Sequence, residues 1–368
     1  MNICIFVGAR PNFIKIAPIV RAIDKAKAEG KEIGSSLVYA GREDDPTLEP
    51  SLFDDLQIGR PDVCLGVDCV NLNELTGQVM SAFERYLQEH TTDVVIVVDD
   101  LASTMAAAIV TKKQGILLAH LVAGTRSFDI SMPKEINRLV IDGLSDLLFT
   151  ASIGGNSAAT REGAESSKIY MVGNILMDTL RFNHQRFERP AVMDELGLAE
   201  KKYIVFTLNR KAIIGNDDEL RALLVSMMSH VGDVPVVAPL RKLAADAVKR
   251  IVNENPLLFE KLHIVAPLDY LHFGYLTANA LGIVTDSGNV AEEATFNTVP
   301  CITLNSYTEH IETVKVGSNV LVGEDPVQLG EEMARMVDGE WKHCGIPERW
   351  DGRSAERIVQ TLMECAAK

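Results

Sequence analysis

Residues 281–293 read Leu281-Gly282-Ile283-Val284-Thr285-Asp286-Ser287-Gly288-Asn289-Val290-Ala291-Glu292-Glu293, and this stretch decides the fold. Its opening apolar run is short and lacks polar alternation, as expected of a strand in a parallel sheet covered by helices on both faces. The run passes through Ser-Gly into a helix start, where free backbone N–H groups face outward with the helix dipole behind them. Such a start is an anion site suited to a diphosphate. Glu293, one turn further in, is placed to accept hydrogen bonds from both hydroxyls of a ribose. Taken alone, the stretch also reads as an ordinary Ser/Asn helix cap.

The same alternation extends in both directions. Upstream, strand-like runs fall at 3–7, 35–39, 94–98, 116–121, 147–150 and 169–172. Helical segments lie between them, such as 72–89 with its Leu72, Leu75, Val79, Phe83 and Leu87 stripe, and 133–144. A charged stretch at 182–202, containing Pro190, interrupts the pattern. It resumes with runs at 203–207, 235–238, 262–265, 281–285 and 300–303. Repeated βα units predict an α/β protein with doubly wound sheets. A length of 368 residues fits two domains of ~100–200 residues each. The expected division is a Rossmann-like domain at 1–175, a second at 176–352, and a helix within 353–368 that packs back on the first.

Composition narrows the class. Apolar residues make up 47% of the chain, charged residues 24% and aromatics 6%, and the net charge is −15. That surface repels nucleic acid and anionic lipid, so any bound phosphate must be held by local donors. A strand-like run follows Met1 directly, without a basic stretch and an apolar core behind it, so no secretory leader is expected. No apolar run approaches the ~20 residues that span a bilayer. The six cysteines form no C-x-x-C pair, consistent with reduced thiols, no zinc site and a cytoplasmic location.

Ligands of open α/β sheets sit beyond the carboxyl ends of strands, which directs attention to three further loops. The first is Gly8-Ala9-Arg10-Pro11-Asn12-Phe13-Ile14-Lys15, where Gly8 permits a tight turn, Pro11 suits a helix start, and Arg10 and Lys15 can meet anionic oxygens. It reads equally as a strand–helix turn with two surface cations. Asp99-Asp100 follow the run at 94–98, His120 closes the next, and Pro133-Lys134-Glu135-Ile136-Asn137-Arg138 opens a helix. No G-x-G-x-x-G or Walker lysine loop is present, which disfavours dinucleotide and ATP binding.

Together and in this order, these residues resemble the non-hydrolysing UDP-N-acetylglucosamine 2-epimerases. That family's G-x-R-P-x-x-x-K is matched by Gly8, Arg10, Pro11 and Lys15, and its P-E-E-x-N-R in part by residues 133–138. Its T-D-S-G-G-x-x-E-E is matched at 285–293 except for Asn289. Pro300-Cys301-Ile302-Thr303-Leu304, Thr308-Glu309, Asn319-Val320-Leu321-Val322-Gly323 and Trp350-Asp351-Gly352 extend the likeness over essentially the whole chain. The resemblance implies a glycosyltransferase-B-like pair of Rossmann domains with UDP or a UDP-N-acetylhexosamine in the interdomain cleft, and a homodimer. It also implies a reaction without metal or cofactor, in which C2 is inverted by elimination and re-addition of UDP. Carried over for the nucleotide and diphosphate are Arg10, Ser287, Gly288 and Glu293, with Phe273 beside the uracil and Arg138 near the phosphates.

The departures fall on the acid/base positions. The family's H-V-E-A-G-L-R stands here as His120-Leu121-Val122-Ala123-Gly124-Thr125-Arg126, so a catalytic glutamate has become Val122. The first glutamate of P-E-E has become Lys134, and the histidine of T-x-H-R has become Asn209. Asp100 is retained, although the glycine before it is Asp99. The segment Ala40-Gly41-Arg42-Glu43 replaces T-G-Q-H, whose glutamine serves a second, regulatory UDP-sugar site in some members. Losing one general acid or base typically slows a reaction ~10²–10⁴-fold, so weak or absent epimerisation is expected. The alternatives are an active isomerase with Lys134 recruited as a base beside Asp100, and a non-catalytic partner or sensor subunit.

Overall fold

The computed structural model describes residues 1–366, so residues 367–368 of the expected C-terminal segment lie outside the described residues. The chain forms two compact units. The first comprises Met1–Phe182 with the segment from Glu348 onward, and the second comprises Asn183–Pro347.

Unit one is built on a seven-stranded parallel sheet. Its strands are β1 (Asn2–Val7), β2 (Gly34–Tyr39), β3 (Val63–Cys64), β4 (Val94–Val98), β5 (Leu117–Ala123), β6 (Leu147–Thr150) and β7 (Ile169–Met171), in the order β3-β2-β1-β4-β5-β6-β7. The run in β1 is continuously apolar because both of its faces are covered. Ile3, Ile5 and Val7 pack with Phe13, Ile16 and Ile19 of helix Arg10–Ala28 and with Ile358 and Leu362 of helix Ser354–Ala366. Cys4 and Phe6 point the other way, onto Val79 and Phe83 of helix Leu72–Glu89 and Ala106 of helix Ala102–Lys113. Gly8, just past β1, lies so close to the latter helix that a Cβ would sit 2.3 Å from the Ser103 hydroxyl.

The unit boundaries fall at 182/183 and 347/348 rather than at 175/176 and 352/353. The cause is helix Ile175–Asn183, which is bound into unit one. The Thr179 hydroxyl donates to the Ile14 carbonyl at 2.6 Å. The Asp178 carboxylate accepts the Ser354 and Ala355 N–H groups at 3.0 and 2.8 Å, capping the returning C-terminal helix. Burial pushes this carboxyl up to about 6.

Unit two repeats the plan with β8 (Ile204–Phe206), β9 (Val236–Pro239), β10 (Leu262–Val265), β11 (Gly282–Thr285), β12 (Cys301–Thr303) and β13 (Asn319–Leu321), in the order β10-β9-β8-β11-β12-β13. Ile204 and Phe206 face Leu220, Val248 and Met333. Val205 and Ile283 face Leu276, Ala291 and Ala294 on the opposite side. β3, of two residues, and β13 are not among the runs read from the sequence. Among the described residues no helix is long and apolar enough to cross a membrane.

In each sheet the strand order reverses at one point, between β1 and β4 in unit one and between β8 and β11 in unit two. Loops leaving those strands diverge and open a crevice at the sheet's carboxyl edge. The loops holding Arg10, Asp99-Asp100, Asn209 and Ser287-Gly288 are the ones that flank these two points.

Candidate functional site

In unit two, helix Gly288–Phe296 begins directly beyond β11. The Ser287 N–H donates to the Thr285 hydroxyl at 3.0 Å, and the Ser287 hydroxyl accepts the Val290 N–H at 3.5 Å. These bonds shape the turn and leave Gly288 exposed at the helix start, where the first amides have no carbonyl to bind. Asp286 joins the two diverging loops, because its carboxylate accepts the Asn209 and Arg210 N–H groups at 2.8 and 2.5 Å. Its other oxygen is buried without a partner. Asn209 therefore stands beside the Ser-Gly turn on a loop held by its backbone.

Glu293 is 8% exposed and receives no hydrogen bond from any described residue. Burial, with Glu292 adjacent, pushes its carboxyl up to about 8. Phe273, half-buried on helix Tyr270–Ala278, packs against the same core as Val290 and Ala291. In unit one, Arg10 opens helix Arg10–Ala28. One of its terminal nitrogens reaches Glu49 at 3.4 Å, while its Nε is buried without a partner.

The other candidate charges of unit one, Lys15, Asp99, Asp100, Lys134 and Arg138, are paired with one another. Lys15 Nζ donates to Asp99 at 2.6 Å, and Asn12 Nδ2 donates to the second oxygen of the same carboxylate at 2.8 Å. The Asn12 carbonyl oxygen accepts the Gly8 and Ala9 N–H groups. Asp99 occupies the left-handed region at φ 60°, which aspartate tolerates better than most residues. Asp100 accepts from Arg138 Nε and Nη2 at 2.8 and 2.5 Å and lies 3.4 Å from Lys134 Nζ. Burial alone would raise its carboxyl, but Lys134 and Arg138 outweigh it and hold the group below the ordinary carboxylate range. Arg138 is buried and also donates to Glu135 at 3.0 Å, so its charge is directed inward. The Lys134 side chain is 64% exposed.

Val122 sits where the β5–β6 register shifts, with φ at 70°. A β-branched residue is a genuine outlier there. A buried network holds this bend. Asp142 accepts from the Gly124 N–H at 3.0 Å and from Arg126 Nη2 at 2.6 Å, and pairs with His120 Nδ1 at 2.5 Å. His120 Nε2 donates to the Asp99 carbonyl at 3.0 Å. Arg42, in the segment that replaces T-G-Q-H, pairs with Asp44 at 2.6 Å and Asp68 at 3.6 Å. Among the described residues no group of three His, Cys, Asp or Glu is placed to hold a metal.

Sequence reasoning passes over Asn12, Glu135, Asp142 and the linking role of Asp286. Asn12, Asp142 and Asp286 act through partners remote in sequence, and Glu135 takes its hydrogen bonds from Ser127 and Phe128 in the loop before its helix.

Two Rossmann-like units of the glycosyltransferase-B kind, with an exposed helix start at the switch point of the second, define the fold class. The family model described as UDP-N-acetylglucosamine 2-epimerase matches residues 25–363, and the chain belongs to that family. It is 33% identical to UDP-N-acetylglucosamine 2-epimerase of Methanocaldococcus jannaschii over 98% of this chain and 99% of that one. It is 32% identical to UDP-2,3-diacetamido-2,3-dideoxy-D-glucuronate 2-epimerase of Pseudomonas aeruginosa over 88% of each. The solved structure of the M. jannaschii UDP-GlcNAc 2-epimerase, in complex with UDP-GlcNAc and UDP, has a TM-score of 0.82 at 32% identity and covers 99% of this chain and 100% of that chain.

Proposed function

We propose that this chain binds UDP-sugars and that its epimerase activity is weak or absent. Nucleotide binding is supported by the exposed helix start at Gly288, the unpartnered Glu293 carboxyl and the orphaned Arg10 Nε. In this reading Phe273 flanks the base and Ser287-Gly288 hold the diphosphate. The observation that carries the loss of activity is the state of Asp100. It is the one acid/base position kept from the family pattern, and it is locked as an ion-paired carboxylate between Arg138 and Lys134. A general base works best with a pKa near the working pH, and the cations beside Asp100 hold its carboxyl below the ordinary range. Val122 carries no proton, and Asn209 is an amide.

The alternative of an active isomerase with Lys134 as base conflicts with the exposure of that side chain. A role as sensor or non-catalytic partner subunit follows naturally from binding without turnover. Incubation of the protein with UDP-N-acetylglucosamine in D₂O, followed by NMR, tests the proposal. The expected result is binding with neither deuterium at C2 nor UDP release at an enzymatic rate. Deuterium incorporation at an ordinary turnover would refute it.

A further inference from the structure

We infer that Arg210 is a phosphate-binding residue of unit two, and that Glu324 holds it off the ligand. This deepens the nucleotide reading above, on which it rests, by adding a cation to the helix start and a competitor for that cation. All the residues concerned belong to unit two.

The first amides of helix Gly288–Phe296 favour an anion, with the helix dipole behind them. The Asp286 carboxylate stands one residue before Ser287, and the chain carries a net charge of −15. Both oppose the negative charges of a pyrophosphate, and a cation close to the turn offsets them. Arg210 is a cation that the fold fixes there. Its N–H and that of Asn209 are bonded to the Asp286 carboxylate, which sets its backbone beside the Ser-Gly turn. Asn305 makes a second link. Its Nδ2 donates to the Asp286 carbonyl at 3.2 Å, and its Oδ1 accepts from Arg210 Nη1 at 3.4 Å.

The guanidinium is only partly used. Nη1 also donates to the Leu304 carbonyl at 3.4 Å and lies 2.6 Å from Glu324 Oε1. Among the described residues, Nε and Nη2 make no hydrogen bond. That edge of the guanidinium is the one that grips two phosphate oxygens at once. The contact with Glu324 is shallow, with side chains 40% and 36% exposed, and an ion pair so open to water is weak. A phosphate therefore displaces it, at the cost of the pull that Glu324 exerts. Glu219 faces both Glu324 and Arg210, so two acids share one arginine.

Calorimetric titration of the full chain with UDP tests this through Arg210→Gln, Glu324→Gln and the double variant. Arg210→Gln keeps the backbone N–H that bonds Asp286, so the turn is held while the cation is lost. It is expected to weaken UDP binding about tenfold. Glu324→Gln is expected to tighten binding about two- to fivefold in the wild-type background and to change nothing in the Arg210→Gln background. A competitor has no effect once its target is gone. A gain from Glu324→Gln that persists without Arg210 would show general charge repulsion and overturn the inference, as would a UDP affinity unchanged by Arg210→Gln. Either result leaves the nucleotide reading intact, whereas absence of UDP binding by the wild type would defeat both.

Discussion

Replacing Glu293 by Gln isolates the buried carboxyl beside the helix start. The folded protein holds this group at about 8 against an ordinary value of 4.5, a gap that corresponds to about 5 kcal/mol at full expression. Its folded pKa lies above its unfolded one, so the folded chain keeps a proton that the unfolded chain gives up. Stability from this group is therefore complete below pH 4.5 and is lost as pH rises toward about 8. Glutamine cannot ionise, and the variant should follow a flatter curve. Urea unfolding at about pH 5 and about pH 9 should show the variant gaining about 3–5 kcal/mol on the wild type between the two. UDP adds a second readout. Ribose hydroxyls donate to the ionised form, so wild-type binding near neutral pH should release a proton and tighten as pH rises toward about 8. Calorimetry in buffers of different ionisation enthalpy detects that proton, and the Gln variant should show none. Parallel stability curves for the two proteins, or proton-neutral binding by the wild type, would refute the reasoning.

Three further outcomes are expected. Val122→Asn places a residue that tolerates the left-handed region at φ 70° and should stabilise the chain by about 1 kcal/mol in urea unfolding; an unchanged or lower midpoint would show that the bend carries no strain. Asp142→Ala leaves His120 and Arg126 without their shared buried carboxylate and should cost about 3–5 kcal/mol; a loss below about 1 kcal/mol would show the network to be dispensable. Restoring Val122→Glu, Lys134→Glu and Asn209→His together should raise C2 exchange in D₂O by at least ~10²-fold; no gain in a folded triple variant would mean the site differs beyond these positions.

Much of the architecture is legible in the sequence because it depends on neighbours along the chain. Most of the strands lie within a residue of the apolar runs, and the helices Leu72–Glu89 and Pro133–Leu144 keep the bounds their periodicity suggests. β5 is harder to read. It continues to Ala123 through the irregular Val122, where no residue type announces a positive φ. The candidate site divides in the same way. Ser287, Gly288 and Glu293 carry their placement in one short motif, and the structure sets them at one helix start. Lys15 and Arg138, legible only as cations near a phosphate, are turned inward by acids from other loops.

The sequence by itself determined the two parallel sheets, the switch-point loops and the nucleotide-type helix start, since strand burial, capping and helix polarity are set by residues a few positions apart. The tertiary structure alone decided which charges remain available. Lys15 meets Asp99 across 84 positions and Arg138 meets Asp100 across 38. Whether a cation serves a ligand or a neighbouring carboxylate depends on distances in space that no local pattern encodes.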